Sequence, residues 1–201
     1  MQNKIILFLI IILTTFCSCK KRIVSDIFNT TKNYCEFNKN SYWIYQDSVS
    51  TVIDSVVLIS NTKNLRENSD YNVNEKIILL EFEHFFNDTS FITKSKIESS
   101  YKGIQSTSNY YSGDFVLFDT NNFTSVYSIA FSLQKITNSI ELIGGSIYEE
   151  LILNNVTYKD VIVYNTSAEG NALVVYWSKE IGIIRYEIKD KTVNLICYSV
   201  V

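Results

Sequence analysis

Histidine, cysteine and carboxylate side chains carry most chemistry at neutral pH, and this chain has one histidine, four cysteines and 21 acidic residues. His84 is its only side chain with an ordinary pKa near neutrality. It falls in phase with Ile78, Leu80, Phe82 and Phe86, and alternate residues of a strand point to the same side. That phase predicts a packed or hydrogen-bonded structural histidine, because acid–base catalysis needs a positioned partner and no motif here supplies one. Glu81 and Glu83 hold the opposite phase. Neighbours on one strand face lie about 7 Å apart and point the same way, whereas glycosidase carboxylates flank a bond from opposite sides, so the pair is expected to form a solvated face. No serine sits in a nucleophile-elbow sequence, and no glycine-rich phosphate loop is present. The expectation is no catalytic residue, no cofactor-binding residue and no cofactor.

The cysteines divide into two pairs. Cys17 and Cys19 follow a charged start, Met1 to Lys4, and an apolar run from Ile5 to Phe16, which together form a secretory signal pattern. The run is shorter than the roughly 20 apolar residues that cross a bilayer, and it ends before Lys20, Lys21 and Arg22. Phe16-Cys17-Ser18-Cys19 resembles the lipobox of bacterial lipoproteins, in which an apolar and a small residue precede a cysteine that is acylated and becomes the mature N-terminus. The resemblance implies cleavage after Ser18, lipidation (palmitate among the chains) on Cys19, and stable attachment, because several acyl chains together hold far more firmly than one. Phe16 stands where leucine is commonest. The resemblance also implies an address: Lys20 is not the aspartate that retains proteobacterial lipoproteins in the inner membrane, and Lys20-Lys21-Arg22 lacks the acidic residues associated with surface display. The expected location is the outer membrane, facing the periplasm.

Cys35 and Cys197 remain in the mature chain, one near each end, in a compartment that permits disulfides. A bridge would stabilise the fold by about 5 kcal/mol at most; the alternative is two buried thiols acting as small apolar side chains. Two cysteines and a single histidine do not furnish a structural zinc shell, so no metal site is expected.

The elements that must position these residues are read as strands. Hydrophobic residues are 46% of the chain, with 14 Tyr and 12 Phe against 2 Trp and 1 Met, a balance suited to half-buried pleated surfaces. With no proline and 6 glycines, turns fall to Asn, Asp and Ser. A short helical turn is expected over 26–32 and strands over 42–46 and 53–59, then a polar loop over 61–74. A hairpin is expected around Asn87-Asp88-Thr89-Ser90, with Phe86 opposite Phe91, Glu83 opposite Lys94 and Glu81 opposite Lys96. Further strands are expected at 114–118 and 123–131, and from 151 to 200 short apolar runs alternate with turns. The predicted class is mainly β: a single antiparallel meander, curved or forming an open or half barrel, with at most one or two short helices. The predicted organisation is a signal peptide at 1–18, a lipidated tether at 19–40 and one β domain at 41–201.

Three stretches, Ser41 to Ser48 with Asp54-Ser55-Val56, Val156 to Val163, and Tyr176 to Ile184, resemble uncharacterised lipoproteins of Bacteroidota. They span most of the mature chain and imply an exported β-rich domain of structural rather than catalytic motifs. Tyr42, Trp43 and Tyr45 are aromatic strand residues, and Gly182 permits a bend between the last strands.

Removing the signal takes only Lys4 from the 18 basic residues, leaving 17 against 21 acidic ones. Without a basic patch beyond the first mature residues, nucleic acid is not an expected partner. Two function classes follow. One is a membrane-anchored, non-enzymatic binding or interaction module, for an apolar ligand or lipid or for another envelope protein. The other is a carboxylate-dependent envelope hydrolase. A continuous cavity lined by Phe and Tyr favours the first; Glu and Asp converging in a cleft favour the second.

Overall fold

The computed structural model describes residues 23–49, 53–86, 89–101, 106–119, 122–136, 139–168, 171–188 and 191–201, so the signal segment and Cys19 lie outside the described residues. Strand β1 (Ile23–Ser25) and helix α1 (Asn29–Cys35) precede β2 (Tyr42–Asp47), β3 (Ile53–Asn68), β4 (Val73–Phe86) and β5 (Thr89–Tyr101). There follow β6 (Ser106–Asp119), β7 (Asn122–Ile136) and β8 (Ser139–Ile143), then β9 (Gly145–Leu153), β10 (Val156–Ala168), β11 (Asn171–Ser178), β12 (Gly182–Ile188) and β13 (Lys191–Ser199). The protein is mainly β with one short helix, and its sheet is open.

Two antiparallel meanders, β2 to β8 and β9 to β13, are joined by β13 pairing with β2, which gives the order β8-β7-β6-β5-β4-β3-β2-β13-β12-β11-β10-β9. The terminal strands of that order, β8 and β9, are consecutive in the chain with Gly144 alone between them. The sheet therefore has to curl until its two edges meet at that corner. No ladder pairs β8 with β9 among the described residues, so the curl stays open along this seam. Gly144 adopts φ +87°, a left-handed conformation natural to glycine, and its carbonyl accepts the N–H of Asn165 at 3.4 Å. Asparagine makes other turns, as the composition suggests: Asn154 (φ 49°) and Asn155 (φ 64°) join β9 to β10 as the two central residues of a hairpin whose positive φ values suit the twist of the strands.

The concave side holds the core. β2 sends Trp43 and Tyr45 inward, β3 Val56 and Leu58, β4 Ile78, Leu80, His84 and Phe86, and β12 Ile184, Tyr186 and Ile188, all buried. The period-two phase read for β4 is thus the one that folds.

Four expectations change. The segment read as a tether is docked from Ile23 onward. Ile27, Tyr34, Cys35 and Phe37 belong to the main hydrophobic cluster, because their apolar faces cover the concave side of the sheet and leaving them in water would forfeit roughly 1.5–3 kcal/mol for each large side chain. The sheet is not wholly antiparallel: β1 lies parallel to β4, with Ile23 opposite Val73 and Ser25 opposite Glu75. It takes up the part of β4 that β5 leaves, since the β4·β5 ladder stops at Ile77 and Glu98. Ser99 pins this junction, its hydroxyl donating to the Ser25 carbonyl at 3.1 Å and accepting the Lys76 N–H at 2.9 Å. The polar loop predicted at 61–74 is mostly strand, because β3 runs to Asn68 and its exposed residues are held by a continuous ladder to β4. Finally, the β4–β5 hairpin is tighter by two residues than expected. Phe86 faces Thr89, His84 faces Phe91 and Glu81 faces Lys94, with an ion pair of 3.1 Å.

Candidate binding cavity

Behind the sheet, under α1, the concave face closes around a cavity of about 70 Å³. Its walls come from strands remote in sequence, β2 to β5 on one side and β11 and β12 on the other, brought together by the β13·β2 pairing. Aromatic rings dominate. Phe37 meets Trp43 edge-on at 5.0 Å between centroids, Trp43 meets Phe82 at 6.0 Å, and Tyr45 tilts against Tyr186 at 6.4 Å. The polar ends of two rings are tied to backbone, so they are fixed as walls: Trp43 Nε1–H donates to the Ile181 carbonyl at 2.6 Å and the Tyr45 hydroxyl to that of Ile183 at 3.0 Å. Gly182 lies between those carbonyls with φ +96°. A Cβ there would stand 3.1 Å from the Phe37 ring and 3.4 Å from Trp43 Nε1, so this glycine both makes the bend expected of it and lets the turn lie on the rings.

One polar series interrupts the apolar wall. His84 Nδ1 is 2.9 Å from Asp54 Oδ2, and Nε2 is 2.9 Å from Thr93 Oγ1. The ring also stacks on Phe91 at 4.7 Å and 15°. With Asp54 ionised, Nδ1–H donates to it. Nε2 then accepts the threonine hydroxyl if the ring is neutral and donates to it if the ring is charged. All three residues are buried. The second carboxylate oxygen of Asp54, Oδ1, is buried without a hydrogen-bond partner. Burial raises the Asp54 pKa, and the hydrogen bond and charge of His84 only partly oppose it. Beside it the Tyr186 hydroxyl is driven up, first by burial and then by the negative charges of Asp54 and Asp47, and stays protonated.

The structure thus gives His84 the hydrogen-bonded setting read from its strand phase and supplies the partners that no motif revealed. Asp54 and Thr93 were missed, although each is a polar residue in the inward phase of its strand, Asp54 with Val56 and Leu58, Thr93 with Ile97. Glu81 and Glu83 do not reach the cavity; Glu81 pairs with Lys94 at the surface. Cys35 and Cys197 are both free, Cys35 buried and Cys197 exposed. No bridge joins them in the structure: Cys35 lines the cavity, while Cys197, beyond the bulge after Leu195, is exposed. Burial pushes the Cys35 thiol well up. Among the described residues no group of three or more His, Cys, Asp and Glu side chains is placed to hold a metal ion, and no helix is long and apolar enough to cross a membrane.

A second buried carboxylate was also missed. Glu75, 2% exposed, accepts Asn68 Nδ2 and the Tyr101 N–H, each at 2.9 Å, on Oε1, and Arg66 Nη2 at 2.7 Å and Nε at 3.2 Å on Oε2. Burial alone would raise its pKa, but these four donors outweigh burial and hold it below the usual value. It is fully satisfied and lies at the β1·β4 junction.

Comparison of the chain with protein-family models, curated proteins and solved structures finds no match.

Proposed function

We propose that this protein is a lipid-anchored envelope protein, attached through Cys19 to the outer membrane on its periplasmic face, whose domain is a non-enzymatic binding module for a small, largely apolar ligand. The observation that carries the reading is the aromatic-walled cavity beneath α1, concave and apolar with few polar groups, as small-molecule sites tend to be. Its size favours a small molecule over a whole lipid, since one water needs about 10–15 Å³ measured in the same way. Anchorage is supported by the Phe16 to Cys19 sequence. With β1 docked, only Lys20, Lys21 and Arg22 separate Cys19 from the folded body, a span of at most roughly 15 Å. The domain would then sit close to the headgroups. Native mass spectrometry of residues 20–201, exported to a periplasm and purified gently, tests the ligand: a co-purifying small molecule supports the module, and a clean apo mass turns the reading towards a protein partner. Palmitate labelling lost in Cys19→Ser tests the anchor.

A hydrolase with a hydroxyl nucleophile, a different chemistry from the carboxylate-dependent one considered from the sequence, has one specific observation in its favour: the series Asp54–His84–Thr93 has the order of an acid, a base and a hydroxyl. Thr93 is buried, so a substrate would have to enter the cavity to meet it. Ester hydrolysis by the wild type that disappears in Thr93→Val would establish the enzyme over the binder.

A further inference from the structure

The polar series in the cavity ends on an unsatisfied acceptor. Asp54 is 5% exposed, lines the cavity, uses Oδ2 on His84, and leaves Oδ1 with no donor. Native structures seldom leave a buried carboxylate oxygen unpaired, because its desolvation is then uncompensated. No lysine or arginine is among the residues that line the cavity, so the wall offers no cation to Asp54 beyond the His84 ring. Trp43, Tyr45, Trp177 and Tyr186 line the same cavity, and aromatic faces attract cations, most strongly where water is excluded. A cavity lined by an aspartate that lacks a donor for one oxygen, and by aromatic rings, is complementary to a positively charged N–H donor on a small apolar body.

We infer that the ligand is a small protonated amine, its ammonium paired with the Asp54 carboxylate and its hydrocarbon part lying on the rings of Trp43, Trp177 and Tyr186. This rests on the cavity being a binding site and narrows the class of what it takes. The raised pKa of Asp54 agrees with it, since an ammonium supplies the charge and the donor that burial denies the carboxylate. The volume, about 70 Å³, admits roughly five non-hydrogen atoms at the space one water requires.

The chain carries its own reporter, because its 2 tryptophans both line the cavity. The experiment is titration of the full lipidated chain, in maltoside micelles at pH 7, with n-butylammonium, n-butanol and butyrate, read by tryptophan emission. n-Butylammonium keeps its proton at this pH as a lysine side chain does. The expected result is saturable binding of n-butylammonium at least about tenfold tighter than n-butanol, the worth of one charge-assisted hydrogen bond, with no response to butyrate. Asp54→Asn should abolish the preference for the ammonium while leaving n-butanol binding in place. Equal binding of amine and alcohol by the wild type, or a preference for butyrate, overturns the amine assignment but leaves the binding module standing; the wild-type series decides this even if the variant fails to fold. No response to any of the three overturns both, and the cavity is then a water site.

Discussion

Glu75 offers a sharp test of how the N-terminal segment is held to the body. Glu75→Gln keeps the shape of the side chain but replaces one acceptor oxygen with an NH2 group. Four donors converge on the native carboxylate, two on each oxygen, so either orientation of the amide faces two N–H groups with a third. Two charge-assisted hydrogen bonds are lost, each worth about 1.5–3 kcal/mol. Arg66 is 47% exposed and keeps Glu98 at 3.1 Å, so part of its loss is recovered in water, and the expected cost is the lower sum, about 3 kcal/mol at pH 7. The sign of the pH dependence follows from the lowered pKa. Folding favours the ionised form, so the contribution is complete above the ordinary glutamate value of 4.5 and is lost as pH falls through the folded value. Asp54, with its raised pKa, titrates with the opposite sign, but it does so in both proteins and cancels in the difference. Urea unfolding of wild type and variant should therefore show a gap of about 3 kcal/mol at pH 7 that shrinks as pH falls below 4.5. Limited proteolysis should also cut the variant sooner near Asp26, because Glu75 lies opposite Ser25 in the β1·β4 pairing. A gap below about 1 kcal/mol at pH 7, or one unchanged in acid, would mean that the four donors do not stabilise the Glu75 carboxylate.

Other outcomes follow from the same geometry. Alkylation without reductant should label Cys197 at once and Cys35 only on unfolding, both without prior reduction, as mass spectrometry would count. Gly182→Ala should cost about 1–3 kcal/mol in thermal or urea unfolding, from its positive φ and the approach of the new Cβ to Phe37, and should shift tryptophan emission through Trp43. Tyr45→Phe should cost about 1 kcal/mol through the lost bond to the Ile183 carbonyl. Glu81→Gln should change stability by less than about 0.5 kcal/mol, since its partner Lys94 is 73% exposed; a larger loss would mean the pair is not the surface contact described.

The fold class was legible because strand burial is written with period two. The phase of Ile78, Leu80, Phe82, His84 and Phe86 is independent of what the strand pairs with. Register was less legible. Glu81, Glu83, Lys94 and Lys96 repeat every second residue, so a slip of two preserves both faces and still sets glutamate against lysine; turn length, which charge pairing does not fix, made the choice. The far half of β3 was illegible for another reason. Its residues Lys63, Asn64, Leu65 and Arg66 are exposed, and a strand that buries no side chain there is held by its backbone ladder to β4, which composition does not encode.

The site was hidden by the same dependence on pairing. Trp43 and Ile181 are 138 residues apart and meet because β13 closes on β2, a contact no local pattern announces. Asp54 is a different case. A carboxylate in the phase of Val56 and Leu58 contradicts the strand that carries it, and such a contradiction marks a place where folding yields to something else. Asp54 is not needed to satisfy His84 alone, since a neutral acceptor would take the Nδ1 proton without burying a charge. The carboxylate instead contributes a second oxygen that the chain leaves without a donor, a desolvation cost that protonation of Asp54 or the proposed ammonium would offset.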